Sequence, residues 1–283
     1  MLYFSYNTNG LQMEMTEAIV QVANAGYQGI ELAFDDDFFH PKRCSPKQIS
    51  HLVKTARKNH IEIAAMTDGC ADLLGGESTH EPSMISLNSS DRMQRVHLLQ
   101  RCIEIAEYAA CPVLNLVSGR KRQNCTEKES MQRLEDSLSQ LLTFCSETTL
   151  VIEPEPGMLI ETTQQAKALI EKMRNPRLKM NIDLGHVKCS EPDYLSRIEK
   201  AIPYAAHCHL EDILGNVHHH LIPGEGDMDL QTIFRLMELH GYGGYLSVEL
   251  YPQVGMWKDA LYRSIRHITK ILAQNRDRPE VQR

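Results

Sequence analysis

The chain has 283 residues, 42% of them hydrophobic and 24% charged, with a formal net charge of −7. That acidic balance argues against a protein that grips nucleic acid by its phosphates. No apolar run approaches the roughly 18 residues a membrane helix needs, so a small polar molecule is the expected partner rather than nucleic acid or membrane.

The opening residues, MLYFSYNTNG, lack a basic stretch followed by an apolar one and do not read as a secretory leader. The eight cysteines fall at irregular spacings without a C-x-x-C pair. Reduced thiols in a cytoplasmic protein are expected.

Short β-rich apolar runs alternate with longer segments of helical period. Leu2–Tyr6 reads as a strand and Thr16–Ala25 as a helix with Ile19, Val22 and Ala23 on one face. Gly29–Phe34 is the second strand, and Ser45 is placed to cap a helix running to about His60. Ile61–Met66 is the third strand, and Ser90 or Asp91 opens a helix ending near Ala110. Cys111–Val117 is followed by a helix over Thr126–Cys145, and Leu150–Glu155 by one over Thr163–Met173. Leu178–Leu184 precedes Tyr194–Ala201, Ala205–Leu210 precedes Leu230–His240, and Tyr245–Leu250 precedes Trp257–Leu272. Residues 274–283 form a polar tail.

Strict alternation of strands and helices implies a parallel sheet. Eight such units over residues 1–273 imply a single α/β domain, a closed (β/α)8 TIM barrel. The turn after the first strand, Asn7-Thr8-Asn9-Gly10, carries no phosphate fingerprint, which argues against a doubly wound nucleotide fold. The longest connections, residues 67–89 and 215–228, are of a length that is usually functional or disordered.

Active sites of such barrels lie at the C-terminal ends of the strands. Four consecutive strands finish on a metal-capable side chain: Glu153, Asp183, His209 and Glu249. A single acid at a strand end is ordinarily a helix cap or a solvated residue. Three carboxylates gathered at one rim would repel one another, and a divalent cation relieves that repulsion. Oxygen-rich ligands with one imidazole and no thiolate suit Mn²⁺, Mg²⁺, Co²⁺ or Fe²⁺, with Zn²⁺ admissible. Glu155 shares strand parity with Glu153, so either could ligate, while His207 falls one layer below His209. Asp35–Asp37 reads as a solvated loop, His218–His220 as a substrate contact or a surface segment, and Trp257 as a helix anchor or a stacking surface for substrate.

The segments IEPEPG, NIDLGH, HCHLED, HHHLIPGEGDMDL and YLSVELYP resemble the xylose-isomerase-like TIM-barrel superfamily, in its sugar phosphate isomerase/epimerase branch, over essentially the whole chain. The resemblance implies one divalent ion held by Glu153, Asp183, His209 and Glu249. It also implies Glu153 and Glu249 as the acid/base pair and His186 as a substrate-binding residue. Glu155 and His220 are further candidates for substrate contact. The implied activity is isomerisation or epimerisation of a small polyhydroxylated substrate by proton transfer through a metal-stabilised enediolate. A lyase or dehydratase acting on a cyclic polyol, or a non-enzymatic metal-binding barrel, would use the same site. Apurinic endonucleases of this superfamily hold several zinc ions with extra histidines from strands two to four and an Asp-x-His pair. Here those strands offer no well-placed histidine and His218 replaces the aspartate, which counts against that activity. The branch also admits a homodimer. No Arg or Lys lies between Glu211 and Gln231, which counts against a phosphorylated substrate.

Overall fold

The computed structural model describes residues 1–68, 72–76, 78–121 and 123–276. Its first half runs β1 (Tyr3–Asn7), α1 (Met15–Ala25), β2 (Gly29–Ala33), α2 (Pro46–Lys58), β3 (Glu62–Thr67), α3 (Ser89–Tyr108), β4 (Val113–Val117) and α4 (Glu127–Phe144). The second half runs β5 (Thr149–Glu153), α5 (Thr163–Met173), β6 (Leu178–Asp183), α6 (Leu184–Ser190), α7 (Tyr194–Ala201) and β7 (Ala205–Leu210). A hairpin β8 (Asp212–Leu214) and β9 (Val217–Leu221) follows, then α8 (Leu230–Leu239), β10 (Tyr245–Val248) and α9 (Trp257–Arg276). Eight strands close into a parallel barrel in the order β1-β10-β7-β6-β5-β4-β3-β2, the expected single (β/α)8 architecture. Among the described residues no helix is long and apolar enough to cross a membrane.

Several helix starts follow from local chemistry. Ser45 Oγ accepts the Gln48 N–H at 3.3 Å while the Gln48 side chain accepts the Ser45 N–H at 2.9 Å, a reciprocal capping box. Thr126 with Glu129 and Thr162 with Gln165 repeat it. The helix expected to open on Ser90 or Asp91 instead starts at Ser89, with Asn88 at the cap position and no side-chain capping bond.

The hairpin and α6 were not foreseen. Of the hairpin, β8 lies just before the segment expected to be a long loop and β9 inside it, and α6 begins where the sixth strand was expected to finish. The polar tail begins later than residue 274, since α9 runs on to Arg276; residues 277–283 lie outside the described residues.

Strand alternation sorts the barrel into two faces. Leu114, Leu150, Ile152, Met180, Ile182, Cys208 and Leu246 join the large apolar core that includes buried residues of the surrounding helices. The alternate residues form a different set: a small apolar group of Ala65, Val113 and Val151, and the fully buried polar residues Ser5, Glu31, Asn181, His207 and Ser247. An interior this polar demands partners for its charges, and it finds them toward the C-terminal rim.

Candidate metal centre and active site

Glu153, Asp183, His209 and Glu249 sit at or just beyond the ends of β5, β6, β7 and β10. Each offers one donor atom, these atoms lie within 4.8 Å of one another, and all four residues are buried. His209 Nδ1 is central: it stands 3.1 Å from Glu153 Oε1, 3.4 Å from Glu249 Oε2 and 3.8 Å from Asp183 Oδ2. Asp183 carries both readings of a strand-end acid. Its Oδ1 caps α6 by accepting the His186 N–H at 2.6 Å, while its Oδ2 faces His209 Nδ1 at 3.8 Å. Three carboxylates and one imidazole converging without a thiolate fit a hard or borderline divalent cation.

The residues behind this set hold it in place. Glu31 of β2, fully buried, accepts from His209 Nε2 at 3.1 Å and from His207 Nε2 at 3.0 Å. With Nε2 bound to Glu31, Nδ1 is the nitrogen that faces the carboxylates, the arrangement that orients a ligating histidine. Asn7 and Asn9 donate to Glu249 Oε1 at 3.1 and 2.8 Å, and Asn115 donates to Glu153 Oε2 at 2.5 Å. Glu211, also fully buried, faces Asp183. Burial, then the Asp183 charge, pushes the Glu211 carboxyl well above the usual range, so it is protonated and can donate to Asp183. Gly185 makes room for it, because a Cβ there would overlap the Glu211 carboxyl.

The two outer glutamates differ in protonation. Burial raises Glu249 to about 8; the His209 charge opposes this, and Glu153, Asp183 and Glu31 add to it. Burial also works against ionisation of Glu153, but the charge and hydrogen bond of His209, with the charge of His186, outweigh it and hold Glu153 below its ordinary value.

His186, the third residue after Asp183, is buried on α6 and donates through Nδ1 to the Pro154 carbonyl at 3.0 Å. Its Nε2 meets His218 Nε2 at 3.0 Å. The three adjacent histidines resolve by strand alternation on β9: His218 and His220 turn toward His186, whereas His219 is exposed. His220 is buried, donates through Nδ1 to the Glu249 carbonyl at 3.2 Å, and packs against Tyr251 at 4.5 Å between ring centroids. Burial lowers it to about 3, so it is neutral.

Glu155 lies past the end of β5, half-buried, in the cavity that also contains His186 and His220. Because β5 stops at Glu153, strand parity no longer relates the two glutamates, and the atoms that converge on His209 are those of Glu153. Trp257 is placed differently from the substrate contact considered above. The chain leaves β10 through a 3-10 turn over Tyr251–Met256, so Tyr251 lines the cavity while Trp257 packs, half-buried, on the apolar core. Sequence reasoning missed Glu31 and Glu211 as supporting residues. For Glu31 the available signal was an acid inside the otherwise apolar segment GIELAF.

Comparison with known proteins agrees with this architecture. The model of a family described as xylose isomerase-like TIM barrel matches residues 19–271. A Homo sapiens protein provisionally named a hydroxypyruvate isomerase is 23% identical over 270 residues, 89% of this chain and 90% of its own. The fructoselysine 3-epimerase of Escherichia coli O157:H7 is 26% identical over 255 residues, 84% of this chain and 86% of its own. The solved structure of an L-ribulose 3-epimerase superposes with a TM-score of 0.80 at 17% identity, covering 98% of this chain and 96% of that one.

Proposed function

The chain belongs to the xylose isomerase-like TIM-barrel family, and on that premise we propose that it is a divalent-metal-dependent isomerase or epimerase of a small, sugar-like polyol. The observation that carries this reading is the convergence of Glu153, Asp183, His209 and Glu249 at one rim of the barrel. Relatives named as isomerases and epimerases support the same class.

Glu153, Asp183, His209 and Glu249 would hold the ion. When bound, a divalent cation supplies Lewis-acid stabilisation of the negative charge that builds on the substrate oxygens. Glu153 and Glu249, both ionised once the ion is bound, would take the proton from the carbon beside the carbonyl and return one. Contact geometry compensates for their modest basicity through high effective molarity. His186, fixed by Pro154, lines the cavity, and its Nε2 would exchange the His218 contact for a substrate oxygen. Asn7, Asn9 and Asn115 keep the glutamates in register for the transfer.

The test is product mass. Metal-loaded protein is incubated with ketoses and cyclic polyols, and products are separated from substrate by chromatography and weighed by mass spectrometry. Products isomeric with their substrates support this reading. A product lighter by one water replaces it with a dehydratase on the same site.

A further inference from the structure

At the end of β3 lies a polar group that the proton transfer above leaves unused. Asp68 directly follows the strand and is 3% exposed. Its Oδ2 is held by Arg95 of α3 at 3.2 Å, and Arg95 is itself fixed by donating from Nε to the Pro82 carbonyl at 2.8 Å. The other oxygen, Oδ1, has no hydrogen-bond partner among the described residues. His80, on the connection before α3, is 7% exposed, and its Nδ1 likewise has no partner among the described residues. Both residues line the cavity that contains Glu153, Glu155 and Glu249. Buried polar groups are nearly always satisfied. Two that are not, on the wall of one cavity, mark a place that a ligand completes.

We infer that Asp68 and His80 form a subsite that reads a hydroxyl of the substrate beyond its two reacting carbons, with Arg95 as the positioning residue. This rests on the isomerase or epimerase reading and sharpens its substrate class. Asp68 Oδ1 can only accept, so its partner must donate. His80 Nδ1 donates or accepts according to tautomer and closes a second bond to the same or a neighbouring hydroxyl. The surrounding carboxylates of Glu153, Glu155 and Glu249 disfavour an anionic tail at this wall. A neutral polyol chain meets these requirements. A carboxylate or phosphate at the same place would face like charge.

The experiment compares hydroxyacetone, which has only the reacting ketol, with D-xylulose and D-fructose. Magnesium-loaded protein is held in D2O, and deuterium uptake is followed by mass spectrometry for the unsubstituted protein, Asp68→Asn and His80→Gln. The expected ratio of kcat/KM for the better long ketose over hydroxyacetone exceeds tenfold. It falls at least tenfold in each variant, with the change carried by KM. The His80 substitution, on a connecting segment, serves if Asp68→Asn does not fold. Equal loss for all ketoses, or an unchanged ratio, overturns the subsite while leaving the isomerase reading intact.

A calorimetric titration with xylitol needs no turnover. Binding weakened at least tenfold by either substitution supports the subsite, and unchanged or absent binding overturns it. Xylitol bound through Asp68 and His80, with deuterium entering no ketose, keeps the subsite and removes the isomerase reading.

Discussion

Replacing Glu31 tests whether the barrel interior orients His209. Glu31 is fully buried and is the shared acceptor for Nε2 of His207 and of His209. The charges and hydrogen bonds of the two histidines outweigh the effect of burial and hold its carboxyl well below the usual range. In Glu31→Gln one acceptor oxygen remains for two imidazoles, and the amide NH2 presents a donor to the other. A hydrogen bond to a charged group contributes about 1.5–3 kcal/mol, and breaking a buried charge pair costs about 3–5 kcal/mol. A loss of about 2–4 kcal/mol is therefore expected in the metal-free protein. At roughly 2–4 °C per kcal/mol for a chain of this size, the melting temperature falls by about 4–16 °C. The imidazole also loses the partner that keeps Nδ1 toward the carboxylates, so Mn²⁺ affinity drops roughly 10–100-fold. Scanning calorimetry gives the first quantity and isothermal titration the second. A Glu31→Gln protein that melts within a degree of the unsubstituted chain and binds Mn²⁺ equally well would refute the orienting role.

Three further outcomes are expected. Glu153→Gln and Glu249→Gln each lower deuterium exchange into a ketose substrate by about 10²–10⁴-fold, the usual range for loss of a general acid or base, with folding checked by circular dichroism. Glu249 titrates at about 8 when folded and from 4.5 unfolded, and His209 is also raised above its unfolded value of 6.5. Both contributions to metal-free stability are complete below the unfolded values and are lost as pH climbs through the folded ones. Cation binding must displace those protons. The rise in melting temperature on adding Mn²⁺ should therefore be larger at about pH 8.5 than at about pH 6, and an equal rise at both would contradict the assignment. Gly185→Ala forces a methyl group into the Glu211 carboxyl. Overpacking of this kind costs about 1–3 kcal/mol, and a calorimetric scan showing the helix-favouring gain of alanine instead would contradict it.

The barrel was legible because its strands are short β-rich runs and its helices carry a 3.6-residue period. The four strand-end residues were legible because each closes such a run. What escaped the sequence depends on contacts between distant segments. Glu31 meets its histidines 176 and 178 residues away, so nothing local marks it as their partner. Asp68 finds Arg95 on a different element. The β8–β9 hairpin is short and only half apolar, without the apolar alternation that announces a strand. His218 and His220 were consequently read as a loop rather than as one face of a strand. Seven-residue α6 is below the length at which helical period can be recognised.

The most direct measurement is the fate of the proton beside the substrate carbonyl. Metal-loaded protein in D2O should place a single deuterium on the α-carbon of a ketose substrate as it isomerises or epimerises. Chelation of the metal, or Glu153→Gln, should abolish that uptake. Turnover of a ketose to its isomer with no deuterium incorporated, or at an undiminished rate after chelation, would contradict metal-assisted proton transfer between Glu153 and Glu249.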